Sequence, residues 1–226
     1  RHDHWLAIEQ KLEQLFVIER DLYYSLLPTA TPFSRNALFA GMLPKDIAKI
    51  HPDIFENAGH DGYSMNRYEH ELLDMNLARS GIRLNRPTVY EKVLTTEDAQ
   101  GCFKRLKTYK DNKLITIVYN FIDLLSHQRS ENDILMEIAP AEGAFSSLTT
   151  AWFDHSVLLE ILKFIAAEEA KLVITTDHGS LLVERPTSVR GDRSTSTNIR
   201  YKYGKNLKCE PSEVMKVSGP VVWGLP

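Results

Sequence analysis

Two Asp-His pairs and one threonine are the residues of this chain whose types and spacing suit metal and phosphate chemistry. Asp177 and His178 follow a short apolar run, Leu172-Val173-Ile174, and precede Gly179. Adjacent side chains on a strand point to opposite faces, so the pair serves one site only where the chain turns between them. Gly179 is expected to ease that turn, because glycine tolerates backbone angles other residues avoid. A carboxylate oxygen with an imidazole nitrogen suits zinc or a similar divalent ion. Asp123 and His127 stand four apart after a second apolar run, a spacing that on a helical turn lets both grip one ion. Thr31 is expected to be the N-cap of a helix that Pro32 opens at its first position and Gly41 closes. The positive end of the helix dipole there favours an alkoxide and phosphate oxygens. Each signal has a plain alternative: a strand-to-loop junction, a helix start with a surface His, a simple helix cap. All three stand at the ends of expected strands, which favours one site with two metals, able to steady the attacking and leaving oxygens of a phosphoryl displacement.

The elements that must position these residues are read from periodicity. Residues 4–15 carry Trp5, Ile8, Leu12 and Leu15 at helical spacing, with Asp3 as N-cap. Strands are expected at 16–18, 23–27, 89–94, 114–120 and 172–176. Helices are expected at 66–79, after Thr96, and as one long element over 146–169. Residues 44–64 are turn-rich. Strands alternating with helices predict an α/β fold, a mostly parallel sheet with helices on both faces. In such a sheet the C-terminal strand ends converge on one edge, the usual place for chemistry. Residues 184–208 read as a long loop or hairpin crossing the sheet edge.

The chain has 226 residues, 43% hydrophobic and 25% charged, with a net charge of −3. That is enough for one substantial core, with one domain over 1–226 as the default and two as the alternative. The mild charge predicts no bulk attraction to nucleic acid or anionic membrane. No apolar run approaches membrane-spanning length, and there is no signal peptide. Cys102 and Cys209 form no CxxC pattern, which fits a reduced, cytoplasmic setting.

The combination of Thr31, Asp123-Leu124-Leu125-Ser126-His127 and Thr175-Thr176-Asp177-His178-Gly179 resembles the alkaline phosphatase superfamily. It is most similar to the PglZ domain, and within it to the effector domain of PorX-type response regulators. Residues 23–31, Arg35-Asn36-Ala37, Gly191-Asp192-Arg193 and residues 198–202 add to the likeness. The resemblance implies an alkaline phosphatase-like fold and a di-zinc phosphodiesterase acting on cyclic or linear oligonucleotides. Thr31 would be the nucleophile, with Asp123, His127, Asp177, His178 and Thr31 as metal ligands. It further implies a receiver domain in the same polypeptide and a link to type IX secretion. No membrane partner is implied, and a homodimer is an open alternative. The pattern departs at both ends. Arg1-His2-Asp3 looks like the family's Arg-x-Asp, which puts one metal-binding Asp before this chain, and no His follows His178. The expectation is a domain truncated at both ends that binds metal incompletely. The competing expectation is a catalytically degenerate PglZ-fold signalling or protein-binding module. His155 is expected near the site, as a substrate-binding residue or a substitute ligand. His2, His4, His51, His60 and His70 are expected at the surface.

Residues 184–208 are basic although the chain is acidic. Arg185, Arg190, Arg193, Arg200, Lys202, Lys205 and Lys208 outnumber Glu184 and Asp192, with Tyr201 and Tyr203 interleaved. Basic groups track a phosphate backbone and aromatic rings stack on bases. Arg200, Lys202 and Tyr201 are therefore expected to bind substrate by holding an oligonucleotide across the site, so that replacing Arg200 and Lys202 together should weaken oligonucleotide binding and spare a small phosphodiester.

Overall fold

The structure, a computed structural model, describes residues 2–56, 64–121, 125, 133–139, 141–180, 185–192, 195, 200–204 and 206–217. Asp123 and His127 lie outside the described residues, as do His60, Arg193 and Lys205. In chain order the described elements are α1 (His2–Leu12), α2 (Thr31–Ala40), α3 (Pro44–Ile50), α4 (Asp53–Glu56), α5 (Glu69–Arg79), β1 (Val89–Val93), α6 (Thr96–Leu106), β2 (Ile115–Tyr119), α7 (Asp133–Ile138), α8 (Glu142–Asp154) and α9 (Val157–Ala166). The chain divides into two compact units. One comprises Arg1–Leu22 and Arg83–Thr175, the other Tyr23–Ile82 and Thr176–Pro226.

The first unit is built on a β-α-β crossover. β1 and β2 pair in parallel, from Val89 against Ile115 to Val93 against Tyr119. Parallel strands need a long connection, usually helical, and α6 supplies it. Thr95 starts α6 with a capping box: its hydroxyl accepts from the Asp98 amide, and the Asp98 carboxylate accepts from the Thr95 amide. The buried face of α6, Ala99, Cys102 and Leu106, packs with Val93 and with Ile161 of α9. Glu91 of β1 receives both arms of Arg105, at 2.8 and 2.6 Å, and the Tyr109 hydroxyl at 2.7 Å. A second cluster joins Leu12, Phe153 and Leu162 with Trp5, Ile8 and Leu172 around them. Full burial of a side chain such as Phe153 stabilises by roughly 1.5–3 kcal/mol.

Several expectations are corrected here. The sheet has two strands among the described residues, not a mostly parallel sheet of many. Residues 16–18, 23–27 and 172–176 form no strand. In place of a backbone ladder, the side chains of Tyr23 and Ser25 bond to the carbonyls of Thr176 and Asp177. The helix expected over 146–169 is two helices. Its break falls at His155-Ser156, where Ser156 turns its hydroxyl to the Leu159 amide and caps a fresh start. His4, expected at the surface, is buried and packs edge-on against Phe145 at 5.2 Å.

In the second unit α2 packs against α5, and Ala40, Ile47, Ile54 and Leu72 form the core. α2 ends where the sequence indicated. Gly41 takes φ 59°, ψ 32° and returns its amide to the Ala37 carbonyl, a left-handed cap that glycine adopts without a Cβ penalty. Residues 190 and 208 meet in an antiparallel bridge, which brings these two points of the basic segment together.

Candidate phosphoryl-transfer site

Thr31 and His178, 147 residues apart in sequence, come together in the second unit. Thr31 is the first residue of α2, not its N-cap: the cap is Ala30, which has no side-chain oxygen, and Pro32 follows at the second position. The displacement by one residue frees the Thr31 hydroxyl. A capping threonine aims its oxygen at its own helix amides, whereas Thr31 Oγ1 lies 3.0 Å from His178 Nε2.

The turn at Asp177-His178 is made by side chains and not by Gly179. Asp177 Oδ1 accepts from the His178 amide at 3.0 Å, and Thr176 Oγ1 donates to the His178 carbonyl at 2.9 Å. A Cβ on Gly179 would meet nothing within 4 Å, and its φ is not in the left-handed region. The imidazole is buried, with 5% of its side chain exposed, and Asp177 keeps 16%.

The ring tautomer is assigned from the neighbours of its two nitrogens. His178 Nδ1 lies 2.9 Å from the Gly179 carbonyl oxygen and 3.2 Å from Arg200 Nη1. A carbonyl only accepts, so the shorter contact assigns the proton to Nδ1 and the lone pair to Nε2. That lone pair faces Thr31 Oγ1 and stands 3.7 Å from Asp177 Oδ2. An imidazole lone pair and a carboxylate oxygen that converge with no proton between them make a donor set for a cation. Ligands bound to zinc at about 2.0–2.1 Å in a tetrahedron stand about 3.3 Å from one another. The separations of 3.0 and 3.7 Å bracket that value. The Gly179 carbonyl on Nδ1 is the outer partner a metal-binding histidine usually has. Thr31, Asp177 and His178 therefore fit a metal on one side. Among the described residues no group of three or more His, Cys, Asp or Glu side chains converges for a metal.

Arg200 reaches the same place. Its Nη1 donates to the Thr29 carbonyl, lies 3.2 Å from Thr29 Oγ1, and is 3.2 Å from His178 Nδ1. Since Nδ1 bears a proton for Gly179, the last approach is a contact between two donors, and the bonds are those to Thr29. Tyr201 stands edge-on to Phe33 of α2 at 5.6 Å and stacks with Tyr203 at 6.2 Å. Burial, and after it the neighbouring Tyr203, push the Tyr201 phenol above its usual value, which keeps it neutral. Lys202 is half-buried beside it. His155 belongs to the first unit, exposed between α8 and α9. β2 ends at Tyr119, and Asp123 and His127 fall beyond it, outside the described residues.

Sequence reasoning missed the buried amides behind Thr31. Asn36 and Asn66, 0% and 8% exposed, bond to each other and to the backbone of the first turn of α2. Nothing in a lone Asn at position 66 signals this; Asn36 stood inside the Arg35-Asn36-Ala37 likeness without a role.

The model of the BREX system PglZ alkaline phosphatase-like domain matches residues 1–225 of the chain. The chain belongs to this family, and so to the alkaline phosphatase superfamily, whose domain is of the phosphoesterase type. Comparison with curated proteins gave no match. No helix among the described residues is long and apolar enough to cross a membrane.

Proposed function

We propose that the chain carries a metal-dependent phosphodiesterase site in which Thr31 is the nucleophile. The observation that supports this most is the approach of Thr31 Oγ1 to the His178 lone pair, with Asp177 Oδ2 alongside. Thr31 Oγ attacks phosphorus, the new oxygen–phosphorus bond forms, and the bond to the leaving alcohol breaks. The proton of the Thr31 hydroxyl leaves with the departing alcohol; water then cleaves the phosphodiester formed on Thr31, releases the phosphomonoester and returns a proton to the hydroxyl. Zinc bound there would lower the pKa of the hydroxyl and neutralise charge on the phosphoryl oxygens. Thr31, Asp177 and His178 would hold one ion, and Asp123 with His127 a second. Arg200, at Thr29 and His178, offers its remaining donors to a phosphate oxygen.

The substrate reading is a cyclic or linear oligonucleotide, supported by the basic segment and the Tyr201–Tyr203 pair. The cellular reading is the output domain of a cytoplasmic response regulator linked to type IX secretion. It is supported only by the likeness of residues 23–31 and 198–202 to PorX-type effectors.

The test is turnover of a chromogenic phosphodiester by the full-length protein loaded with zinc. Thr31→Val is isosteric and should abolish hydrolysis with the fold retained. Near-normal turnover by that variant would remove Thr31 from the role. Bound zinc without turnover by the wild type would favour the degenerate binding module.

A further inference from the structure

The first turn of α2 is held from behind by two saturated amides. Asn36 Nδ2 donates to the Pro32 carbonyl at 2.8 Å and the Met65 carbonyl at 2.9 Å. Asn66 Nδ2 donates to Asn36 Oδ1 at 3.2 Å and to the Thr31 carbonyl at 3.3 Å. Both N–H bonds of each amide are thereby used. Beside them Arg35 Nε bonds to Glu69, whose side chain is 1% exposed at the start of α5.

A helix does not need these bonds in order to form. Its carbonyls already accept from amides four residues on, and an interior Asn is a poor helix former. The bonds tie α2 to residues 65–69 in two directions, because side chains at successive helix positions diverge by about 100°. Arg35, four residues after Thr31, shares its face, and Asn36 points elsewhere. The Arg35–Glu69 and Asn36–Met65 ties limit rotation of α2 about its own axis. Asn66, bonded to Asn36 Oδ1 and to the Thr31 carbonyl, fixes the turn that bears Thr31. Rotation of α2 sets the reach of Thr31. Cα atoms stand about 2.3 Å from the helix axis and a Thr hydroxyl stands about 4 Å from it. A 20° turn about the axis would move the hydroxyl by roughly 1.4 Å, enough to break a 3.0 Å contact.

We propose that Asn66, acting through Asn36 and the Thr31 carbonyl, is a positioning residue that holds the Thr31 hydroxyl on His178 Nε2. The kinetic part of this rests on Thr31 being the nucleophile; the geometric part does not. In the full-length protein stripped of metal, where the Nε2 lone pair is left to Thr31, nitrogen NMR of histidine side chains reports the bonding of each ring nitrogen. In Asn66→Ala the His178 Nε2 signal should move toward its position in Thr31→Val, while the exposed His155 stays unchanged. In the same variant loaded with zinc, kcat on a chromogenic phosphodiester should fall about ten- to a hundredfold with KM unchanged, since a misplacement of about 1 Å costs about a hundredfold. Asn66→Ser keeps one donor, and should give intermediate shifts if the alanine variant does not fold. A His178 signal unmoved in a folded Asn66 variant, whatever its loss of melting temperature, overturns the proposal. A moved signal together with full turnover by Thr31→Val keeps the positioning role and refutes the nucleophile.

Discussion

Arg200 offers the sharpest separation of two roles that the sequence merged. A basic residue tracking a distant phosphate matters only for substrates long enough to reach it. A residue anchored at Thr29, against the His178 ring, matters for every substrate. The guanidinium is exposed, so each of its bonds to Thr29 is worth the modest net value of about 0.5–1.5 kcal/mol. Two such bonds, to the carbonyl and to Oγ1, make about 1–3 kcal/mol for Arg200→Ala. At about 1.4 kcal/mol per tenfold, kcat/KM should fall roughly five- to a hundredfold. The assay is kcat/KM of the full-length enzyme on a small chromogenic phosphodiester and on a single-stranded oligonucleotide, for Arg200→Ala and Lys202→Ala separately. Arg200→Ala should lower both substrates by a similar factor. Lys202→Ala should spare the small one and reduce the salt slope of oligonucleotide binding by about 0.7. Normal turnover of the small diester by Arg200→Ala, with loss confined to the oligonucleotide, would refute the anchored role.

Two more outcomes follow from the first unit. The Arg105 guanidinium bonded to Glu91 holds that carboxyl below its ordinary value. A depressed carboxyl stabilises the fold above the unfolded-state value, about 4.3, and the contribution is lost as pH falls toward the folded value. Glu91→Gln should therefore cost about 1 kcal/mol at neutral pH, and the difference from wild type should shrink in urea melts taken below about pH 4; an equal difference at acid pH would contradict it. Burial, and after it the Glu91 carboxylate, push the Cys102 thiol up to about 11, so in native protein at pH 8 a thiol reagent should modify the half-exposed Cys209 and leave Cys102 intact until unfolding. Comparable labelling rates at the two cysteines would contradict the buried placement of Cys102.

Legibility followed locality. Helix α6 and its Thr95 start, the Gly41 stop and strands β1 and β2 are written in short windows of sequence, and the structure has them within a few residues. Thr31 was misplaced by one position because Thr-Pro reads equally well as cap and first residue or as first and second residue. That single step decides whether the hydroxyl serves its own helix or His178. The strand reading of 172–176 failed because an apolar run states a preference for burial, not a partner. Leu172 packs with Leu12 and Phe153, while Val173 and Ile174 stay exposed. Thr31, Asp177 and His178 were legible by residue type and by their shared place at expected strand ends, whereas the anchorage of Arg200 at Thr29 was not, because no short-range pattern couples residues 171 apart.

The division of the chain has a consequence for the order in which the site comes into being. α2, α3, α4 and α5 lie within one continuous stretch, Tyr23–Ile82, whereas His178 belongs to the same unit but follows all of Arg83–Thr175. On a ribosome the helical half emerges first and meets its completing segment only after the intervening unit has been synthesised. Closing the 147-residue span between Thr31 and His178 costs about 2.4 kcal/mol more chain entropy than closing a ten-residue loop. Helix α2 is therefore an early product of folding and the segment that bears His178 a late one. A nascent or nicked chain that stops before Asp177 keeps the Asn36–Asn66 support of the first turn of α2 and lacks the imidazole that Thr31 meets.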